Sequence, residues 1–186
     1  MATNGYYCAP MKERVLPERI NPARLAKEAI ELSGQLRLAN EPRVHMLLIE
    51  DAPHQVACRV SAHRDAEGWL HLTGQMEGQV TMTCQVCLQP VPYTVARTFE
   101  WLVVASDEQA KRVLAEVEPV IMDEDGGVAL HDNLLDELLL DLPIAPVHSA
   151  SEHCAHRHRL SNEDDALVNE HRTQQPFKNL KDLLSK

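Results

Sequence analysis

The sequence is poor in aromatic residues and has no long apolar run. Phe, Trp and Tyr together make up 4% of its 186 residues, so any hydrophobic core must be mainly aliphatic. The longest apolar runs, such as residues 138–140, are far shorter than the ~20 residues that a membrane-spanning helix needs. Residues 1–8 also lack the charged head and apolar stretch of a secretory signal, so we expect a cytoplasmic protein.

The chain also lacks the positive charge of a protein that simply coats nucleic acid. Its formal charge is −10, which is the wrong sign for non-specific binding to phosphates. The charge is unevenly distributed: residues 106–142 carry two Lys/Arg and eleven Asp/Glu, whereas residues 143–186 carry six of each. The excess negative charge therefore belongs to one central segment, and it does not prevent either end of the chain from binding an anionic partner.

The apolar pattern predicts two helices that flank a region of strands. Asn21 followed by Pro22 is typical of a helix start, and the Ser33-Gly34 pair is expected to end this first helix. From residue 35 to 105 the pattern is that of strands, with a compact apolar run at 44–49 and clear alternation beyond it. Residues 131–142 then predict a leucine-rich helix with three acidic residues on its exposed side. This helix would be capped by Asp132 and ended by Pro143, and its acidic residues are Asp136, Glu137 and Asp141.

These elements predict an α+β fold: a mainly antiparallel sheet, or a small partly closed barrel, with a few helices and an extended C-terminal tail. We expect a single domain over residues 1–148. Residues 149–186 are expected to form a flexible tail that contains His and Cys and ends in a short helix.

The sharpest chemical signal is the pair Cys84 and Cys87. Five cysteines in a cytoplasmic chain favour reduced thiols or a metal site over disulfides, and two thiols three positions apart can chelate one tetrahedral zinc ion. The same spacing serves redox proteins when the first thiol starts a helix. Here Pro90 and Pro92 follow closely and disfavour such a helix, so a strand–turn–strand arrangement fits better.

A zinc site would need two further ligands, and these are sought around Cys154. Four of the ten histidines fall within residues 148–158. We therefore predict a zinc site formed by Cys84, Cys87, Cys154 and His153. The alternative interpretation is a pair of reduced thiols at a turn, followed by a solvated histidine-rich tail.

Four motifs in order resemble the YceD family, the large ribosomal RNA subunit accumulation proteins. They are the Cys-Gln-Val-Cys segment at 84–91, the leucine-rich stretch and its proline-rich continuation at 135–148, the Ser-Glu-His-Cys segment at 151–154, and the terminal residues 176–184. These bacterial proteins, with plastid relatives, are associated with accumulation of 23S ribosomal RNA. Some relatives carry additional cysteines in the tail, whereas this sequence has only Cys154 there.

The resemblance implies a ribosome-biogenesis factor that acts by binding and not as an enzyme, with no catalytic residue and no small-molecule substrate. Its partners would be the large-subunit rRNA precursor, basic ribosomal proteins or assembly factors. Tail cations would meet phosphates, or the acidic helix would dock onto a basic protein. Alternatives are a metal-dependent or dithiol enzyme, and a zinc-ribbon adaptor unrelated to ribosomes.

Overall fold

The computed structural model describes residues 15–112, 117–149 and 154. The strands are β1 (Leu32–Gln35), β2 (Gln55–Arg64), β3 (Leu70–Thr83), β4 (Pro90–Val104) and β5 (Glu118–Ile121), and the helices are α1 (Pro22–Glu28), α2 (Pro42–His45), α3 (Asp107–Ala110) and α4 (Leu130–Asp141). The strands form one sheet in the order β1-β2-β3-β4-β5. Among the four pairs that these described strands form, β4–β5 is parallel and the other three are antiparallel. The predicted α+β class with a mainly antiparallel sheet is confirmed, and the sheet is open rather than closed into a barrel.

The hairpin of β3 and β4 is the longest feature of the sheet. Its register runs from Leu70 opposite Val103 to Thr83 opposite Pro90. Apolar side chains alternate along both strands, so one face of the hairpin is buried and the other faces outward. A Cβ atom at Gly78 would lie 1.9 Å from the carbonyl oxygen of Gln55 on β2, so only glycine permits this close approach of the two backbones.

Helix α4 covers the buried face of the sheet. Its side chains Leu134, Leu135 and Leu138 are fully buried, as the leucine spacing predicts. Leu142 ends the helix in an extended conformation directly before Pro143. None of the helices that the structure describes is long and apolar enough to cross a membrane.

Glu137 is buried, which corrects the expectation that it lies on the exposed side of the helix with Asp136 and Asp141. Only 3% of Glu137 is exposed. Its carboxylate accepts a hydrogen bond from the indole Nε1 of Trp101 at 2.8 Å and pairs with the guanidinium of Arg97. Because both partners lie on β4, this buried network fixes α4 against the hairpin. The carboxylate of Asp136 is exposed and pairs with another arginine, Arg43.

Several local predictions were wrong at helix ends. Helix α1 starts at Pro22 with Asn21 as its cap, as expected, but it ends at Ala29 in the left-handed region, and Ser33-Gly34 lie in β1. Asp132 does not cap α4, which has no side-chain cap; it lies in the first turn instead.

The apolar run 44–49 is not a strand. Glu41 and Pro42 start the short helix α2 there, because a capping carboxylate and a proline at the first position favour a helical turn. The run ends in a single bridge between Leu48 and Met82. The predicted terminal helix and all of the tail except Ser149 and Cys154 lie outside the described residues.

We predict that Glu137→Ala lowers the free energy of unfolding by about 3 kcal/mol. The substitution leaves the Trp101 indole N–H and the half-buried Arg97 without their acceptor, and a buried group that loses its partner pays the cost of desolvation. Urea unfolding followed by tryptophan fluorescence measures the change. Asp132→Ala is the control, since Asp132 is exposed on the same helix and should change the free energy by less than about 1 kcal/mol. Equal effects of the two substitutions would contradict the structural role of the network.

Candidate metal centre

A tight turn between β3 and β4, which we call the knuckle (residues 84–89), places Cys84 and Cys87 side by side. The amide of Cys84 donates to the carbonyl of Gln89 at 2.9 Å, and the amide of Leu88 donates to the carbonyl of Cys84 at 2.9 Å. Leu88 has a φ of 59°, in the left-handed region. This backbone conformation closes the turn so that both thiols project from the same end of the hairpin.

The prolines after the knuckle fit this geometry. Pro90 and Pro92 lie on β4, which pairs with β3 there, whereas its pairing with β5 begins only at Trp101. Proline is tolerated where a strand has one free edge, because its missing N–H removes no ladder hydrogen bond. The sequence expectation of a strand–turn–strand in place of a helix start is confirmed.

The segment after α4 returns to the knuckle. The amide of Gln85 donates to the carbonyl of Pro146 at 2.9 Å. His148 then contacts both sides of the turn: its Nε2 lies 3.1 Å from the carbonyl oxygen of Pro90, and its Nδ1 lies 3.4 Å from the Sγ of Cys87. A carbonyl only accepts hydrogen bonds, so Nε2 donates to Pro90, and Nδ1 is the ring nitrogen that faces the thiols.

Cys154 completes the cluster. Its Sγ lies 4.0 Å from that of Cys84, and both residues are buried. The ligand atoms of Cys84, Cys87, His148 and Cys154 all lie within 4.8 Å of one another. Zinc–ligand distances of about 2.0–2.3 Å in a tetrahedron separate the ligand atoms by roughly 3.5–3.8 Å. Three thiols and one imidazole in this arrangement therefore fit a closed, four-ligand zinc site.

The electrostatics of the cluster favour a thiolate. Burial raises the pKa of Cys84, but hydrogen bonds from the backbone of Cys87, Val86 and His148 and from the His148 side chain outweigh it and lower the pKa to about 5. Cys58 shows the opposite behaviour, since burial alone raises its pKa to about 12. Cys58 is thus a protonated core residue, whereas Cys84 is suited to be a metal ligand.

Three of the four predicted ligand residues lie together in the structure, and the histidine that lies with them is His148. These three are Cys84, Cys87 and Cys154. His153 lies outside the described residues, and His148 provides the imidazole in the described cluster. Four histidines surround Cys154 in the sequence, and spacing alone could not select among them. The chain after α4 returns to the knuckle at Pro146, and this path brings His148 to the thiols. The path depends in turn on the direction in which α4 ends.

Comparison with known proteins agrees with the motifs. The model of the YceD family, described as "Large ribosomal RNA subunit accumulation protein YceD", matches residues 72–184. A curated protein with that same name from Haemophilus influenzae is 32% identical over 149 residues, which cover 77% of this chain and 82% of the relative. The chain belongs to the YceD family.

The region that matches the YceD family begins in β3 and extends into the C-terminal tail. It therefore includes all four residues of the candidate metal centre. No solved structure matches this chain significantly.

We predict that the purified protein binds about one equivalent of zinc and that His148→Asn and Cys87→Ser remove it. Loss of zinc should destabilise the protein by about 3 kcal/mol, less than in isolated finger peptides because the sheet has its own core, and should lower the melting temperature by about 6–12 °C. Metal analysis after dialysis against a chelator, followed by thermal unfolding, measures both effects.

Two matched variants make this test specific. Cys58→Ala removes a buried thiol elsewhere in the sheet, and it should keep the zinc. His153→Asn should also keep the zinc, because His148 supplies the imidazole. Retention of zinc by His148→Asn together with its loss in His153→Asn would contradict the ligand set described above. Zinc content below about one-tenth of an equivalent in the unmodified protein would refute the metal centre altogether.

Proposed function

We propose that this protein is a ribosome-biogenesis factor that promotes the synthesis, processing or stability of 23S rRNA by binding. The observation that carries the proposal is membership of the YceD family, whose description names large ribosomal RNA subunit accumulation. Binding in place of catalysis is supported by the candidate centre itself. Catalytic zinc sites keep one position open for water or substrate, whereas four protein ligands fill a tetrahedral site.

In this proposal a zinc ion acts as a scaffold. Cys84 and Cys87 belong to the hairpin, while His148 and Cys154 belong to the chain that follows α4. A zinc ion held by all four would join the hairpin to the start of the tail. Residues 155–186 would then leave the protein from a fixed point at the knuckle.

The fold neutralises part of the acidic central segment. Arg19 pairs with Asp123 and with Asp125, and Arg43 pairs with Asp136. Each of these pairs brings an arginine from outside residues 106–142 to a carboxylate inside them. Residues 106–142 have a formal net charge of −9, from eleven Asp/Glu and two Lys/Arg. Because arginines from elsewhere in the chain pair with several of these carboxylates, this charge overstates how strongly the segment would repel phosphate or attract a basic protein.

This pairing favours direct contact between the tail and RNA over docking of the acidic helix onto a basic protein. Six cations follow Cys154 in the sequence, and five of them carry this proposal: Arg157, Arg159, Lys178, Lys181 and Lys186. Segments of this kind bind phosphates electrostatically, and their affinity falls as salt rises because counterions are released. We propose that these cations contact the large-subunit rRNA precursor.

We predict that crosslinking in cells recovers large-subunit rRNA with this protein and that replacing these five tail cations together by glutamine reduces the recovery at least tenfold. The expected size follows from the loss of several phosphate contacts, each of which contributes roughly 0.7–0.9 to the slope of log affinity against log salt. Sequencing of the crosslinked RNA and gradient sedimentation with large-subunit precursors are the measurements.

The control replaces Lys27, Lys111 and Arg112, which are exposed and lie outside the tail. This variant should crosslink as the unmodified protein does. If recovery of RNA depends equally on both sets of cations, specific contact through the tail is wrong. If the protein stays at the top of the gradient and its depletion leaves large-subunit RNA unchanged, the ribosomal role itself is wrong.

A further inference from the structure

A second cluster of metal-ligating side chains lies on the outward face of the sheet. Alternation along the strands places His63 of β2, His71 of β3 and Glu100 of β4 on this face. The buried residues Val60, Leu72 and Trp101 each lie an odd number of residues away on the same strand and so point to the opposite face. Three adjacent strands thus each contribute one ligand. Neither sequence spacing nor the family motifs single out these residues.

The register of the sheet brings the three side chains together. His63 lies directly opposite His71, and their rings stack with centroids 5.2 Å apart. Glu100 lies opposite Thr73, two residues beyond His71, which places it diagonally across from His71. The potential ligand atoms of His63, His71 and Glu100 all lie within 4.8 Å of one another.

His71 is oriented by a second carboxylate. Its Nδ1 lies 3.0 Å from Oε1 of Glu100, and its Nε2 lies 3.0 Å from Oδ2 of Asp65. Asp65 is itself held in the turn between β2 and β3, where its other oxygen accepts a hydrogen bond from the amide of Trp69 at 2.7 Å. In metal sites, a histidine usually binds the ion through one ring nitrogen and donates a hydrogen bond from the other to a carboxylate. Asp65 is placed to be that carboxylate for His71.

The separation of His71 Nδ1 and Glu100 Oε1 suits a metal ion. Two ligand atoms that each lie about 2.1 Å from one ion are roughly 3.0–3.4 Å apart in octahedral or tetrahedral geometry, which includes the 3.0 Å between His71 and Glu100. Two imidazoles and one carboxylate form a nitrogen and oxygen donor set that suits zinc and its late first-row neighbours. Ca²⁺ and Mg²⁺ prefer oxygen donors alone.

We propose that His63, His71 and Glu100 form a second metal site that takes an exchangeable Zn²⁺ ion or a similar late first-row divalent ion, with Asp65 as a positioning residue. Three protein ligands leave a coordination position open to water or to a donor from another molecule. His63 is exposed, and 51% of the Glu100 side chain is exposed. An ion at this site exchanges with solvent more readily than one enclosed by four ligands.

The two sites are independent. His71 lies at the start of β3, whereas Cys84 directly follows its end. Thirteen residues of strand at about 3.3 Å each separate them by roughly 40 Å. Substitutions at one site should therefore leave the other unchanged.

The test is titration of the full-length protein with Zn²⁺ after the first equivalent has been bound. Isothermal calorimetry should show a second, weaker equivalent, and the double variant His63→Asn, Glu100→Gln should weaken it at least tenfold while the first equivalent is retained. Asp65→Asn should weaken the second equivalent by about 10–100-fold, as expected for loss of a residue that orients a ligand. Circular dichroism checks that these exposed substitutions leave the fold intact.

Co²⁺ provides a spectroscopic signature that separates the sites. The first equivalent should give thiolate-to-metal charge-transfer bands, and the second should add only the weaker bands of nitrogen and oxygen ligands. The control is His45→Asn, since His45 is an exposed histidine with Glu50 4.0 Å away but belongs to neither cluster. It should bind both equivalents normally.

Two results would overturn the proposal. One is the absence of a second equivalent in the unmodified protein. The other is a second equivalent with the same affinity in the double variant, which would place that ion on other histidines of the chain. Failure of this site would not affect the proposed ribosomal role, which rests on the family and on different residues.

Discussion

The pairing of β3 with β4 is the constraint on which the rest of the described structure depends. One continuous antiparallel register, from Leu70 with Val103 to Thr83 with Pro90, fixes the relative positions of both strands. It fixes the knuckle at one end and His71 beside Glu100 near the other. A shift of register by one residue would exchange the buried and outward faces, so the apolar alternation also determines which side chains remain available for chemistry.

The candidate metal centre further depends on the direction in which α4 ends. Glu137 holds the helix to β4 through Arg97 and Trp101, and the hydroxyl of Tyr93 donates to the carbonyl of Asp141 at the end of the helix. These contacts hold the end of the helix against the hairpin, and a few residues later the carbonyl of Pro146 reaches the knuckle. The buried carboxylate of Glu137 would be costly without its partners, so its pairing with β4 helps to fix the path that brings His148 to Cys87.

A metal ion would have a different physical role at each of the two clusters. In the cysteine cluster it would link two segments that are distant in sequence, so its binding energy would stabilise the fold. On the outward face, the ladder of the sheet already holds all three proposed ligands, and binding there would add little to the fold. The first arrangement suits a scaffold, and the second suits a contact that forms and dissociates.

The sequence by itself determined the alternating strands, the leucine-rich helix, the tight turn with two thiols and the family, because each depends on short-range periodicity or on motifs in order. Three predictions from the sequence were wrong. The end of α1 depends on a left-handed cap, and the run at 44–49 begins with a turn that a proline starts, so both depend on local backbone geometry. Glu137 is buried because it pairs with Arg97, a distant partner. Only the tertiary structure placed His148 in the cysteine cluster and joined His63, His71 and Glu100, because register and the path of the chain after α4 bring together residues that the sequence keeps far apart.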